Sequence, residues 1–449
     1  MMMVAAFVKK QSTGMGTLAA VLLLVLTGVN AWQLAQLPQG EVMSLFNNMV
    51  RADRQALMFN ALMTGCTFLY VLLAGRDIRR VGQSVPEYYA LIFFILCGLY
   101  LLSSFNTLLM LFIGIEILSI PQYILAGSDK RSLKSSEASL KYFLLGSFST
   151  GILLMGIALL YGEFGTFYNT GMDFATAHGS SPMAIGGLLL LIIALGFKVS
   201  AAPMHLWTPD VYDGSPTPFT AYMSTVAKAA AFYAFLRLFQ NTVIGDSGTP
   251  GGGWWIVLTG LTALTLLVGN ITAVFQQSVK RMLSYSSIAQ AGFMLFALVS
   301  LNKMSGTALL LYAVAYSIAT IGLFSILMKM KDYTFDGFNG LARKEPVLAA
   351  CALIFLLSLA GIPLTGGFMA KYYMLVSVVE QGRAMWLVIF ALLMAAVSVF
   401  YYFRVIQAMY FKQGEAELAS PVTAADRLIV GITAALVIVL GVAPGLVTG

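Results

Sequence analysis

Charge and cysteine are both scarce in this chain. Of 449 residues only 10% are Asp, Glu, Lys or Arg, where a soluble globular protein carries about 25%, so an ordinary water-soluble enzyme is excluded. The three cysteines, Cys66, Cys97 and Cys351, stand singly in apolar runs with no Cys-x-x-Cys. Iron–sulfur, c-type haem and structural zinc are therefore unsupported. Two histidines, His178 and His205, are too few to build a metal site alone. The sequence has neither a glycine-rich dinucleotide fingerprint opening a helix after a strand nor a Walker A run, so no metal or cofactor site is expected on this chain.

What the chain has is apolar length. It is 59% hydrophobic, with 30 Phe and 20 Tyr and a mean hydropathy of +0.85. Disordered chains are polar and poor in aromatics. Outer-membrane barrels alternate over short segments, whereas these runs are continuous and helix-length. An all-α polytopic membrane protein follows, with about thirteen transmembrane helices near 15–36, 56–75, 88–105, 107–126, 138–161, 182–204, 215–240, 254–276, 281–300, 305–330, 345–378, 384–410 and 428–447. Residues 1–8 are apolar but too short to cross at ~1.5 Å per residue. They read as the end of a retained helix whose beginning is missing, rather than as part of a signal peptide, because no small-residue cleavage site follows.

The loops orient these helices. Lys9, Lys10, Arg76, Arg79, Arg80, Lys130, Arg131, Lys134, Lys280, Arg281, Lys329, Lys331, Arg343 and Lys344 fall on one side; the other has only Arg51, Arg54, Lys303 and Arg383 in its short connections. The positive-inside rule makes the first side cytoplasmic. The net charge of +7 is then a matter of loops facing anionic lipid, not of nucleic acid.

Two interruptions repeat along the chain. GFKVSAAPMHLW places Lys198 five residues before Pro203, and SLAGIPLTGGFMAKYY places Lys371 eight residues after Pro363, with Gly361, Gly366 and Gly367 close by. Proline removes a helical hydrogen bond, and a broken helix at membrane depth is tolerated only where it lines protein or water. Paired broken helices in two halves point to inverted repeats, here 88–240 and 254–410. Five spans per repeat is an odd number, so the two halves run in opposite directions.

A charge at bilayer centre costs about 2.5–3.5 kcal/mol on insertion scales. Four residues carry that cost: Glu116 in LLMLFIGIEILSI, Lys198, Lys228 in AYMSTVAKAAAFYAF, and Lys371. Static ion pairs or snorkelling stems are the alternative, and depth argues against snorkelling. Glu137 and Lys141, spaced i,i+4, form either a solvated helix-start pair or a secondary relay, and His205 is either a loop histidine or a relay member. Arg237, Lys329 and Arg404 read as interfacial anchors, and Trp254–Trp255 after Gly251–Gly253 as an aromatic belt. Buried lysines suit proton movement, because burial disfavours their charged form. A carboxylate ~6 Å away restores it by about 2.8 kcal/mol at an effective dielectric of about 20, so opening or closing one Glu–Lys pair switches a lysine.

GFKVSAAPMHLWTPDVYDGSPTP, VAKAAAFYAFLRL, FIGIEILSIPQYIL, SSEASLKYFLLG, SVKRMLSYSSIAQAGF and SLAGIPLTGGFMAKYY together resemble the antiporter-like membrane subunits of respiratory complex I, NADH:quinone oxidoreductase. PDVYDGSP resembles the N type rather than the longer L and M types. The resemblance implies that Glu116 is the family's glutamate, Lys198 the lysine paired with it, Lys228 the central lysine and Lys371 the one by the exit. It further implies a non-redox translocase subunit that moves protons in a bacterial cytoplasmic (inner) membrane. Quinone reduction in other subunits would drive it, with NADH, FMN, iron–sulfur clusters and quinone all held there. The implied partners are other antiporter-like and small helical membrane-arm subunits and the lipid bilayer, with no nucleic acid. Two departures stand out: members begin with one further helix, and a histidine often occupies the position of Gln290. A multi-subunit cation/proton antiporter subunit and a purely structural scaffold remain the alternatives.

The loop charges generate a first prediction. Cysteines placed at Lys130 and Lys344 react with impermeant reagents only from the cytoplasmic face; labelling of both from outside reverses the orientation.

Overall fold

The computed structural model describes residues 14–38, 40–79, 85–172, 174, 181–242, 254–382 and 384–448. Residues 1–8, Lys9, Lys10, Arg80, His178, Gly251–Gly253 and Arg383 lie outside them.

The chain is helical nearly throughout: α1 (Gly14–Gln36), α2 (Arg54–Ile78), α3 (Val85–Ser104), α4 (Leu108–Ala126), α5 (Leu133–Phe164), α6 (Pro182–Lys198), α7 (Thr208–Gly214), α8 (Thr217–Tyr222), α9 (Lys228–Thr242), α10 (Trp254–Val274), α11 (Val279–Met294), α12 (Lys303–Leu327), α13 (Pro346–Ala360), α14 (Gly366–Gln381), α15 (Met385–Tyr410) and α16 (Ala424–Val442). Short polar side chains start many of them. Asp53, Thr107, Ser132 and Ser181 accept from backbone N–H groups at the starts of α2, α4, α5 and α6, and Asn302 and Thr423 form capping boxes on α12 and α16. One small antiparallel hairpin, β1 (Met43–Leu45) with β2 (Val50–Ala52), pairs Ser44 with Arg51 between α1 and α2.

Among the described residues, ten helices are long and apolar enough to cross a membrane unaided. Three further crossings are interrupted. α6 stops at Lys198, and the chain passes irregularly through Ser200 (φ 63°) and Pro203 before α7. The exposed backbone is satisfied locally: Trp207 Nε1 donates to the Phe197 carbonyl at 3.0 Å, and the Ala202 N–H to Thr265 Oγ1 at 3.0 Å. α13 stops at Ala360, with Gly361 left-handed at φ 86°, and α14 resumes at Gly366. The Gly367 N–H donates to Ser358 Oγ at 3.0 Å. The third interruption is a wide π turn, Met223–Ala227, immediately before Lys228. No proline or glycine marks it, so the sequence offered no sign of it; such turns often accompany functional sites.

The packing repeats. α3 lies along α4 and against α9, while α10 lies along α11 and against α15; α5 packs on α6, and α12 on both α13 and α14. Gly98 sits against Leu118 and Gly269 against Ala289 so closely that a Cβ on either glycine would lie 2.5–2.6 Å from backbone nitrogen. Both residues of the second contact lie 171 positions beyond those of the first, as does the start of α11 beyond that of α4. α12 is buried along its whole apolar stretch, whereas α1 and α16 are mostly exposed, so hydropathy alone could not separate centre from rim.

The expected anchors prove to be ties between helices. Lys329 forms a buried ion pair with Asp77 at 2.8 Å. Arg237 donates to Asp53 and to the Phe105 and Arg51 carbonyls. Arg404 donates to the Val274 carbonyl and lies 4.0 Å from the Phe335 ring centre.

The second break carries a prediction. A Cβ at Gly367 would lie 1.9 Å from the Ser358 carbonyl oxygen, while Gly28 has open space around it. Gly367→Ala should destabilise the folded chain by at least about 1–3 kcal/mol, seen as a lower melting temperature in detergent, while Gly28→Ala leaves it unchanged.

Candidate functional site

The four deep charges lie on or beside the interrupted helices. Lys198 closes α6 and is buried, and its ammonium donates to Ser119 Oγ at 2.8 Å and Tyr123 Oη at 3.1 Å. Both acceptors stand on α4, three and seven residues beyond Glu116, which places all three on one helical face. Glu116 does not bond Lys198 directly. Its Oε1 accepts from Thr150 Oγ1 of α5 at 2.8 Å. Carboxylate and ammonium are thus each held by hydroxyls.

From Lys198 the site continues inward. A cavity of about 10 Å³, room for about one water, is bounded by Lys198, Lys228, Gln122, Tyr142, Trp207 and Tyr212 among others. Its polar wall is Gln122, which accepts from Tyr142 Oη at 3.0 Å. Lys228, the first residue after the π turn, is buried, donates to Ser287 Oγ at 2.5 Å and to the Ser287 carbonyl at 3.2 Å, and stands 5.4 Å from the Tyr212 ring centre.

One turn further along α11 from Ser287 lies Gln290. Its Nε2 donates to the Leu359 carbonyl at 2.9 Å and to Tyr402 Oη at 3.1 Å, and its Oε1 accepts from Tyr312 Oη. The Leu359 carbonyl also accepts from Lys371 Nζ at 2.9 Å, and the Ala360 carbonyl from the same ammonium at 2.8 Å. Lys371 thus caps the negative end of α13 and lies 4.7 Å from the Phe293 ring centre. A lysine facing the exposed carbonyls of a broken helix would be recognisable only once the break itself had been placed.

Nearer the lysine-rich face, Lys141 bonds Glu137 at 2.8 Å as its spacing implies, and also Asp210 of α7 at 2.9 Å; Asp210 is shared with Arg281 of α11 at 3.1 Å. Sequence reasoning missed Asp210, because nothing local brings α5, α7 and α11 together. His205 lies in the first break, with its Nδ1 buried and unpartnered among the described residues. Pro203, Pro363, Gly366 and Gly367 lie in or directly after the two breaks. No group of three or more His, Cys, Asp or Glu among the described residues is placed to hold a metal.

Residues 106–400 match the family model described as NADH:quinone oxidoreductase/Mrp antiporter, TM. The chain belongs to that family. A relative from Cytophaga hutchinsonii, called NADH-quinone oxidoreductase subunit N, is 41% identical over 87% of this chain and 85% of its own. Among solved structures, a chain of respiratory complex I from Thermus thermophilus is 33% identical with a TM-score of 0.78, covering 97% of this chain and 98% of that one. A chain of the Mrp complex from Dietzia sp. superposes with a TM-score of 0.83 at 19% identity, covering 97% of this chain and 90% of that one, and shares the fold. The family match spans all four deep charges.

The hydroxyls holding Lys198 can be tested. Ser119→Ala leaves a buried ammonium short of an acceptor, a loss of about 1–3 kcal/mol, and should lower coupled activity of the assembled complex, while Ser119→Thr retains it. Equal activity in both variants would show that the hydroxyl plays no part.

Proposed function

We propose that this chain is a membrane-arm subunit of NADH:quinone oxidoreductase and that it moves protons through Glu116, Lys198, Lys228 and Lys371. The supporting observation is continuity. Ser119 and Tyr123, the small cavity, Ser287, Gln290 and the Leu359 carbonyl lie in order between the buried Lys198, Lys228 and Lys371, with the half-buried Glu116 on the same face of α4 as Ser119 and Tyr123. The halves, 88–240 and 254–410, are one arrangement used twice.

Lys198 is the moving part. Its flexible four-carbon stem swings the ammonium between the Ser119–Tyr123 hydroxyls and the Glu116 carboxylate. Near the carboxylate the charged form is favoured. Withdrawn among hydroxyls beside a nearly dry cavity, the lysine is ready to give up its proton toward Lys228. The energy comes from quinone reduction in partner subunits, which hold the NADH, FMN, iron–sulfur and quinone sites, in a bacterial cytoplasmic membrane. Eight relatives 34–41% identical are named for NADH-quinone oxidoreductase subunit N. The Mrp likeness reaches only the fold, so this reading is favoured over a cation/proton antiporter subunit.

Glu116→Gln removes the switching charge and keeps the shape; Lys228→Met removes the central proton carrier. Each should cut NADH-driven pumping, Lys228→Met by about 10²-fold, the low end for loss of a proton-transferring group. Lys141→Met should matter less, because its ion pairs are largely exposed. Electron transfer from NADH to an artificial acceptor ahead of the membrane arm should persist in all three. Undiminished pumping in both Glu116→Gln and Lys228→Met would end the reading.

A further inference from the structure

The outer end of the first half carries a buried charge that the relay does not use. Arg237 stands nine residues beyond Lys228 on α9 and is buried. Its three nitrogens are all engaged: Nε donates to the Phe105 carbonyl at 3.0 Å, Nη1 to Asp53 at 2.9 Å and Nη2 to the Arg51 carbonyl at 2.5 Å. The Asp53 side chain is 39% exposed, against 8% for that of the arginine. Just outside, Arg51 and Asn106 line an open cavity of about 440 Å³, so water from the outer face reaches the residues that hold the guanidinium. Approached from the interior, the guanidinium is met before the carboxylate.

A buried polar column runs from the π turn to this arginine. Tyr222, the last residue before that turn, has its hydroxyl 3.4 Å from that of Thr67 on α2. Thr67, Thr64 and Asn60 follow one face of α2 at spacings of three and four, and Thr64 Oγ1 donates to the Asn60 carbonyl at 2.7 Å. Asn60 Oδ1 accepts from Ser103 at 2.8 Å, and the Ser103 hydroxyl is 3.3 Å from that of Ser104, the neighbour of Phe105. Every side chain in the column is buried. Along α9 itself the residues between Lys228 and Arg237 are alanine, phenylalanine and leucine, with Tyr233 stacked on Phe59 at 4.4 Å. We propose that Arg237 is the outer proton barrier of the first half, and that its fixed charge keeps protons resting on Lys228 from leaking outward along the α2 column. The inference rests on the proton-transfer reading above and adds to it what closes the first half on one face. A hydroxyl accepts one proton while donating another, so the column has the chemistry of a leak. A guanidinium has donors only and keeps its proton, which ends any such chain of transfers. Its charge also repels an arriving proton: from about 10 Å away, at an effective dielectric of about 20, it lowers proton occupancy about tenfold. Fixed arginines exclude protons from water-filled pores in the same way.

The test uses assembled complex reconstituted in liposomes. Proton flux is driven by a potassium diffusion potential without NADH and read with a trapped pH dye, against the unsubstituted complex as baseline. Arg237→Gln should raise this leak by about tenfold, the electrostatic factor above, and lower the protons moved per NADH while NADH oxidation continues. Arg237→Lys keeps the charge and should stay tight. Asp53→Asn breaks the same ion pair, retains a side chain able to cap α2 and leaves the positive charge, so it should leak no more than the unsubstituted complex. Should Arg237→Gln fail to assemble, the double variant Asp53→Asn with Arg237→Gln leaves no unpaired charge and should leak as strongly. Asn60→Leu, added to the leaking variant, should close the leak. An unchanged leak once Arg237 is neutralised, or a leak at Asp53→Asn equal to that at Arg237→Gln, would show a tie between helices only and overturn the barrier. A leak that persists with Asn60→Leu would overturn the column. Tight vesicles with Arg237→Gln beside lost pumping in Lys228→Met bring down the barrier alone, whereas normal pumping in Lys228→Met brings down the transfer reading.

Discussion

A polar group left unpaired in hydrocarbon costs several kcal/mol, and the architecture is arranged around that cost. Continuous helices meet it by bonding to themselves, which is why ten crossings need no help. The interrupted crossings cannot, and at the two breaks the released backbone is answered by side chains of the same crossing or of a neighbouring helix. Trp207 and Thr265 serve the first break, Ser358 and Lys371 the second. In the second break the answering group is itself an ionisable side chain. The constraint that stabilises the broken helix therefore also fixes where a charge rests, and structure and function share the same hydrogen bonds.

The two halves are not equal copies. Advancing 171 residues carries Gly98 to Gly269 and Leu118 to Ala289, and the same step carries Glu116 to Ser287 and Ser119 to Gln290. Where the first half has the Glu116 carboxylate, the second has the Ser287 hydroxyl, which accepts from Lys228 of the first half. Where the first has a small hydroxyl holding Lys198, the second has an amide whose carbonyl partner is shared with Lys371. On the proposed route, that difference in residue type puts the switching carboxylate in the first half alone, while the second half meets the proton with hydroxyl, amide and the Lys371 ammonium.

Much of this was legible in the sequence because hydropathy and rare charge are strong signals in a membrane. The crossings, the two breaks and the four deep charges all stand out against 59% hydrophobic composition. Partners were not legible. Glu116 and Lys198 stand out in the sequence, but the hydroxyls of Ser119, Tyr123 and Thr150 that bond them are ordinary residues in apolar helices. Asp210 drew no notice in the sequence, and it is α7 that brings it to Lys141 and Arg281. The π turn before Lys228 has no breaker residue at all; it packs against α12, a contact that no local rule anticipates.

Gln290 shows how such contacts limit the chemistry. An amide orients neighbours by donating and accepting, yet it takes up no proton at neutral pH. It holds Tyr312, Tyr402 and the Leu359 carbonyl in one place, midway between Lys228 at Ser287 and Lys371 at Leu359. On the proposed route, a proton crossing that interval has no ionisable stop at Gln290 and passes by hydroxyl or water, which leaves Lys228 and Lys371 as its resting places.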